Sequence, residues 1–166
     1  MRFLVAITLV ASAVGAAYAD CVPKPSTADS FGVARIGKMT DARMSRLAKR
    51  DAGCVYSVDQ SCDYTDTNGV TYSVVEDFLE TKTITLATLK PGVPLPFGLS
   101  RAETIASVRA KVSSQIPVPL TGSNVFLSTD VCLRDIKTGG DFELWFDFEP
   151  QGRLLSMGTR VPSVRD

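Results

Sequence analysis

The chain has 166 residues, 45% hydrophobic and 22% charged, with 18 basic side chains balanced by 18 acidic ones, four cysteines and no histidine. A formal charge of zero excludes a global field that would draw the protein to nucleic acid or to an anionic membrane, so recognition by charge has to come from local patches. Without an imidazole, the Ser-His, Cys-His and His-metal machineries are excluded as well.

Residues 1–19 read as a secretory signal peptide: Arg2 is the charged start, Phe3 to Val14 form the apolar run, and Ala17-Tyr18-Ala19 is a small-x-small cleavage site. The expected mature chain, residues 20–166, is long enough for a single domain with its own core. Cys21 follows Asp20 rather than a small residue at the cleavage bond, so a lipid anchor is not expected. The expected location is periplasmic or secreted, with no membrane span.

Residues 20–30 carry Pro, Ser and Asp without a period and read as an irregular lead. From Thr40 to Asp51 the pattern changes: Met39, Met44, Leu47 and Ala48 fall near helical spacing while Arg43, Arg46, Lys49 and Arg50 take the other side, which predicts a short amphipathic helix stopped by Gly53. The segments CVYSV, CDYTD, VTYSVV and FLETKTITL then predict a meander, with Asn68-Gly69 as a hairpin turn because a type I′ turn needs φ > 0 at both central positions. The acids around that turn lack the alternating ligands and distal Glu of a calcium loop. KPGVPLPFGL separates the halves. Ser100 with Glu103 predicts a capping box opening a second helix, with Ala102, Ile105, Val108 and Val112 as its apolar stripe and Pro117 as its limit. VFLSTDVCLRD, a turn at 138–140, DFELWFDF, a turn at 150–152 and RLLSMGTRV predict three antiparallel strands.

An even cysteine count in an exported chain, with no CxxC spacing, predicts two disulfides and no metal site. Three pairings are open; the short spacing favours Cys54 with Cys62, leaving Cys21 for Cys132. The two halves resemble one another. Phe31-Gly32-Val33-Ala34-Arg35 precedes the first predicted helix much as Phe97-Gly98-Leu99-Ser100-Arg101 precedes the second, and Cys62 precedes its turn as Cys132 does. The expected fold class is therefore α+β: one compact, disulfide-stabilised domain of two helix-plus-antiparallel-sheet units, 31–89 and 97–161.

Phe97-Gly98-Leu99-Ser100 and the closing FDFEPQGRLLSM hairpin resemble the repeating unit of the β-lactamase-inhibitor proteins and of the small BamE-type outer-membrane assembly lipoproteins. The chain is also loosely similar, in size and export, to exported bacterial immunity proteins. These resemblances imply a secreted binding protein, and they carry no functional residue onto a position of this chain.

Catalysis finds little support in the residues present. Ser107 and Lys111 are i, i+4, as on any solvated helix face, and Asp147 with Glu149 reads as a polar outer face before it reads as a glycosidase pair. No catalytic residue, metal or cofactor is expected. Strand parity instead sets Phe142, Leu144, Phe146 and Phe148 toward the core, and Trp145 outward with Glu143, Asp147 and Glu149. A tryptophan rimmed by carboxylates suits an interface anchor for a partner bearing Lys or Arg. The basic face of Arg43, Arg46, Lys49 and Arg50 is a second candidate surface. The expected function is an exported protein-binding module, an inhibitor or immunity protein that occludes an enzyme or toxin of the cell envelope; an assembly scaffold is the alternative, and an enzyme of unknown type the third.

Overall fold

The computed structural model describes residues 21–24, 30–54, 61–135 and 140–162. The expected signal peptide, the CVYSV strand beyond Cys54 and most of the 138–140 turn lie outside these. In chain order the elements are β1 (Val22–Lys24), β2 (Gly37–Lys38), α1 (Asp41–Met44), β3 (Lys49–Arg50), β4 (Cys62–Thr65), β5 (Val70–Val75), β6 (Phe78–Thr85), a 3-10 turn (Pro96–Gly98), α2 (Ile105–Ser113), β7 (Leu120–Gly122), β8 (Phe126–Thr129), β9 (Leu133–Asp135), β10 (Asp141–Phe148) and β11 (Leu154–Arg160).

All eleven strands join one mixed sheet, whose main path runs β1-β9-β10-β11-β6-β5-β4-β3. Only β1 against β9 is parallel. The two eight-residue strands organise it, because each is long enough to hold two partners along one edge. β10 pairs β9 through Asp141–Phe142 and β8 through Trp145–Asp147. β6 pairs β2 through Phe78–Leu79 and β11 through Thr81–Thr85.

The expected pair of helix-plus-sheet units is thus corrected. β6 and β11 hydrogen-bond directly and merge both meanders into one sheet over one core, and the β7–β8 hairpin has no counterpart among the described residues of the first half. The helices are minor. α1 is a single turn capped by Thr40, not a helix to Asp51, because Lys49 and Arg50 leave it to pair with β4. One turn has no stability of its own; α1 is held by Asp41, which accepts hydrogen bonds from Tyr64 and Arg50 while Met44 is buried beneath. α2 starts later than expected. Its N-cap is Thr104, whose hydroxyl accepts from the Ser107 N–H while the Ser107 hydroxyl accepts from the Thr104 N–H. Val108 and Val112 are its buried face.

The β4–β5 hairpin does turn through Asn68-Gly69, but not as the expected type I′ turn: Gly69 is at φ 90° while Asn68 is not at positive φ, and the Gly69 N–H donates to the Asp66 carbonyl. Its turn is shaped by the buried Asp66 carboxylate, which accepts from the N–H groups of Asn68 (2.8 Å) and Val70 (3.0 Å) and from the Tyr72 hydroxyl (2.7 Å). All those donors belong to the protein, and among the described residues no group of three His, Cys, Asp or Glu is placed to hold a metal. The β5–β6 turn is tighter, with Glu76 and Asp77 both at positive φ.

The disulfides join Cys21 to Cys132 and Cys54 to Cys62, one near each end of the sheet. Such bonds persist in oxidising compartments outside the cytosol. No described helix is long and apolar enough to cross a membrane.

Candidate functional site

Among the described residues, one face of the sheet is buried and the other is partly exposed. Buried on the covered face are Tyr64, Val70, Tyr72, Val74, Leu79, Ile84 and Met157 with Leu127, Leu133 and the side chains of Phe142, Leu144, Phe146 and Phe148. Residues 30–36 lie against this face, pinned by a cation that sequence reading missed. Lys82, fully buried in the middle of β6, donates to the carbonyls of Phe31 and Ala34 at 3.0 Å each and stands 4.1 Å from the centre of the Phe31 ring. Tyr72 adds a second pin by accepting from the Val33 N–H at 2.6 Å, and Arg35 a third through buried Asp135 at 2.5 Å.

The opposite face carries a hydroxyl-rich array: Thr65 on β4, Thr71 and Ser73 on β5, Thr81, Thr83 and Thr85 on β6, Ser156 on β11 and Ser128 on β8, all partly exposed. Trp145 lies within it. In register, Trp145 is flanked by Ser128 on β8 and Gly158 on β11, with Thr83 beyond Gly158. A Cβ on Gly158 would stand 2.6 Å from Cζ2 and 2.7 Å from Cε2 of the indole, so the ring lies directly over the glycine. An interior strand glycine is a signal of such close approach, and covering it with an aromatic ring shields backbone that would otherwise be bare. The next row, toward the β10–β11 turn, is Phe126, Asp147, Ser156 and Thr85.

Glu143 is corrected as an open rim residue. It is 4% exposed, and Arg160, its cross-strand neighbour, donates to it at 3.2 Å. Asp147 is half-buried and accepts from the Ser156 hydroxyl at 3.0 Å. Glu149 lies past the end of β10, in the turn, where it lines an open groove of about 490 Å³ with Leu86, Arg153, exposed Leu155 and Ser156. A shift of register between Asp147 and Phe148 pairs Ser156 and then Leu154 with them, which leaves Leu155 projecting.

The basic residues do not form one helix face. Arg43 ends α1, Arg46 lies in the following turn, and Lys49 and Arg50 belong to β3, where Arg50 is paired with Asp41 at 3.2 Å. Arg43 does line a second cleft, of about 600 Å³, with Val33, Arg35, Lys38, Met39 and Leu47.

Ser107 and Lys111 both turn to Glu103 rather than to each other. Glu103, 6% exposed, accepts from Lys111 at 2.5 Å, from the Ser107 hydroxyl, and from the Ser100 N–H at 2.9 Å. The Lys111 bond, followed by that of Ser107, holds its carboxyl at about 2 against the opposing effect of burial. A carboxylate so acidic is a weak base, and its three donors all come from 100–111, so this cluster serves as a structural clamp on α2.

No known protein family, curated protein or solved structure matches the chain. The likeness to the inhibitor and BamE-type architectures rests on the short sequence motifs alone.

Proposed function

We propose that the chain is an exported protein-binding module that occludes an enzyme or toxin of the cell envelope through the open face of its sheet. The observation that carries this reading is the position of Trp145, the sole tryptophan, partly exposed within a sheet face whose other members are mostly partly exposed hydroxyls. Aromatic anchors in polar surroundings are the side chains that dominate association energies. The two disulfides support residence in an oxidising compartment.

The test is site-specific photo-crosslinking in envelope extract, with the crosslinker at Thr83 on the open face or at exposed Ala106 on α2. A single adduct from position 83 and none from 106 is expected, and the captured protein should lose its activity at one equivalent of the purified module. Trp145→Ala should weaken that complex by roughly 2 kcal/mol or more. A captured partner whose activity is untouched would turn the reading to a scaffold. Crosslinking from 106 alone would end it.

A further inference from the structure

Strand alternation sets both Glu143 and Asp147 beside the tryptophan, and the structure distinguishes the two. Glu143 is buried and neutralised by Arg160, whereas Asp147 has no ion pair with any described residue and only the neutral Ser156 hydroxyl as hydrogen-bond partner among them. Its neighbours are aromatic on two sides: Phe126 directly across on β8, and Trp145 two residues back on the same strand, about 7 Å along by strand geometry. A half-buried carboxylate between two ring systems, without a cation of its own, is complementary to an ammonium or guanidinium, which gains both the charge and the ring faces. Ser156 also lines the groove beside Leu155, whose apolar floor of Leu86, Ala87 and Leu154 is rimmed by Arg101, Glu149 and Arg153. The nearby guanidinium of Arg101 is committed to the carbonyls of Leu86, Leu89 and Lys90, each at 2.7 Å, and is not placed to neutralise Asp147.

We infer that Asp147, Phe126 and Trp145 form a receptor for a lysine or arginine side chain of the partner protein, with the groove beside Leu155 taking an apolar side chain from the same extended segment. In a segment lying on the sheet, residues two apart project the same way, so the recognised chemistry is a basic residue and an apolar one in alternation. This rests on the open-face reading and assigns the chemistry of its partner.

Because Trp145 is the sole tryptophan, its emission reports the site directly. The probe is the peptide acetyl-Ser-Arg-Ser-Leu-amide, compared with versions in which Gln replaces Arg or Ser replaces Leu. Saturable quenching by the parent peptide is expected, at least fivefold weaker with the Gln version and about threefold weaker with the Ser version, and reduced by salt. Asp147→Asn should abolish the preference for Arg over Gln, while Asp63→Asn, on the same face of distant β4, should preserve it. Equal binding of the Arg and Gln peptides, an Asp147→Asn protein that still prefers Arg, or a stronger response to choline or to a chitin disaccharide than to the peptide would each overturn the inference. If that happens while Trp145→Ala still abolishes capture of the envelope partner, the open-face reading stands and only its chemistry falls. A denaturation midpoint unchanged in Asp147→Asn verifies that the variant is folded.

Discussion

The two faces of the sheet each hold one residue whose type points to the other side. Lys82 is a fully buried cation on the covered face, and Trp145 is a partly exposed indole on the open one. The difference lies in what the surroundings provide. Lys82 meets two carbonyls and a ring from residues 31–34, which replace its hydration; Trp145 meets a glycine, which gives its ring somewhere to lie. Burial of a charge is tolerable when its hydrogen-bonding is satisfied, and exposure of an aromatic is tolerable when one of its faces is covered. Face assignment therefore follows register and partners, and hydropathy is a weaker guide at the residues most concerned with function.

Changes at adjacent positions of β6 put this contrast to the sharpest test. Lys82→Ala leaves the Phe31 and Ala34 carbonyls without their donor and opens a void, and should cost about 3 kcal/mol or more in urea unfolding. Thr83→Ala, one residue on and on the open face, should stay within about 0.5 kcal/mol. Similar costs for both would mean that the faces are not differently covered.

Gly158→Ala should come next. Its Cβ would meet the Lys82 carbonyl oxygen at 2.2 Å as well as the indole. The ring can swing away but the backbone cannot, so a loss of about 2 kcal/mol is expected together with a red shift of Trp145 emission. A stable variant with unshifted emission would remove the glycine seat from the description.

On the covered side, Glu103 gives a pH signature of known sign. Its folded-state carboxyl is lowered from 4.5 to about 2, so its contribution is complete above 4.5 and disappears as pH falls toward 2. Glu103→Gln should flatten the loss of stability across that window and lower stability at neutral pH by about 1.5 kcal/mol, as loss of charge-assisted bonds does. An unchanged acid limb would show that the Lys111 contact does not persist in solution.

The smallest effect separates the two candidate caps. Thr104→Ala should cost about 1 kcal/mol, whereas Ser100→Ala should cost less, because Ser100 holds Glu103 first through its backbone N–H and only weakly through its hydroxyl. The opposite order would place the start of α2 back at Ser100.

Features carried by short range were readable in the chain. The place of the turn at Asn68-Gly69, though not its type, follows from turn residues adjacent in sequence, the inward set of Phe142, Leu144, Phe146 and Phe148 follows from a period of two, and the Cys54–Cys62 pairing follows from proximity in sequence. The helix that the spacing predicts over 40–51 ends after one turn, because the period of Met44, Leu47 and Ala48 says nothing of the pull of β4 on Lys49 and Arg50. Within the candidate site, Trp145 and Asp147 were legible as neighbours on one strand, while Phe126, Ser156 and Gly158 were not, since each comes from a different strand and meets them only through register. By itself the sequence determined which residues form strands around Trp145 and which way they alternate, because those choices are local. Only the tertiary structure decided that β6 joins β11 in a single sheet, that Arg160 pairs with Glu143 while Asp147 has no ion pair among the described residues, and that Lys82 is buried, because pairings between distant strands are set by the shared core and not by any nearby residue.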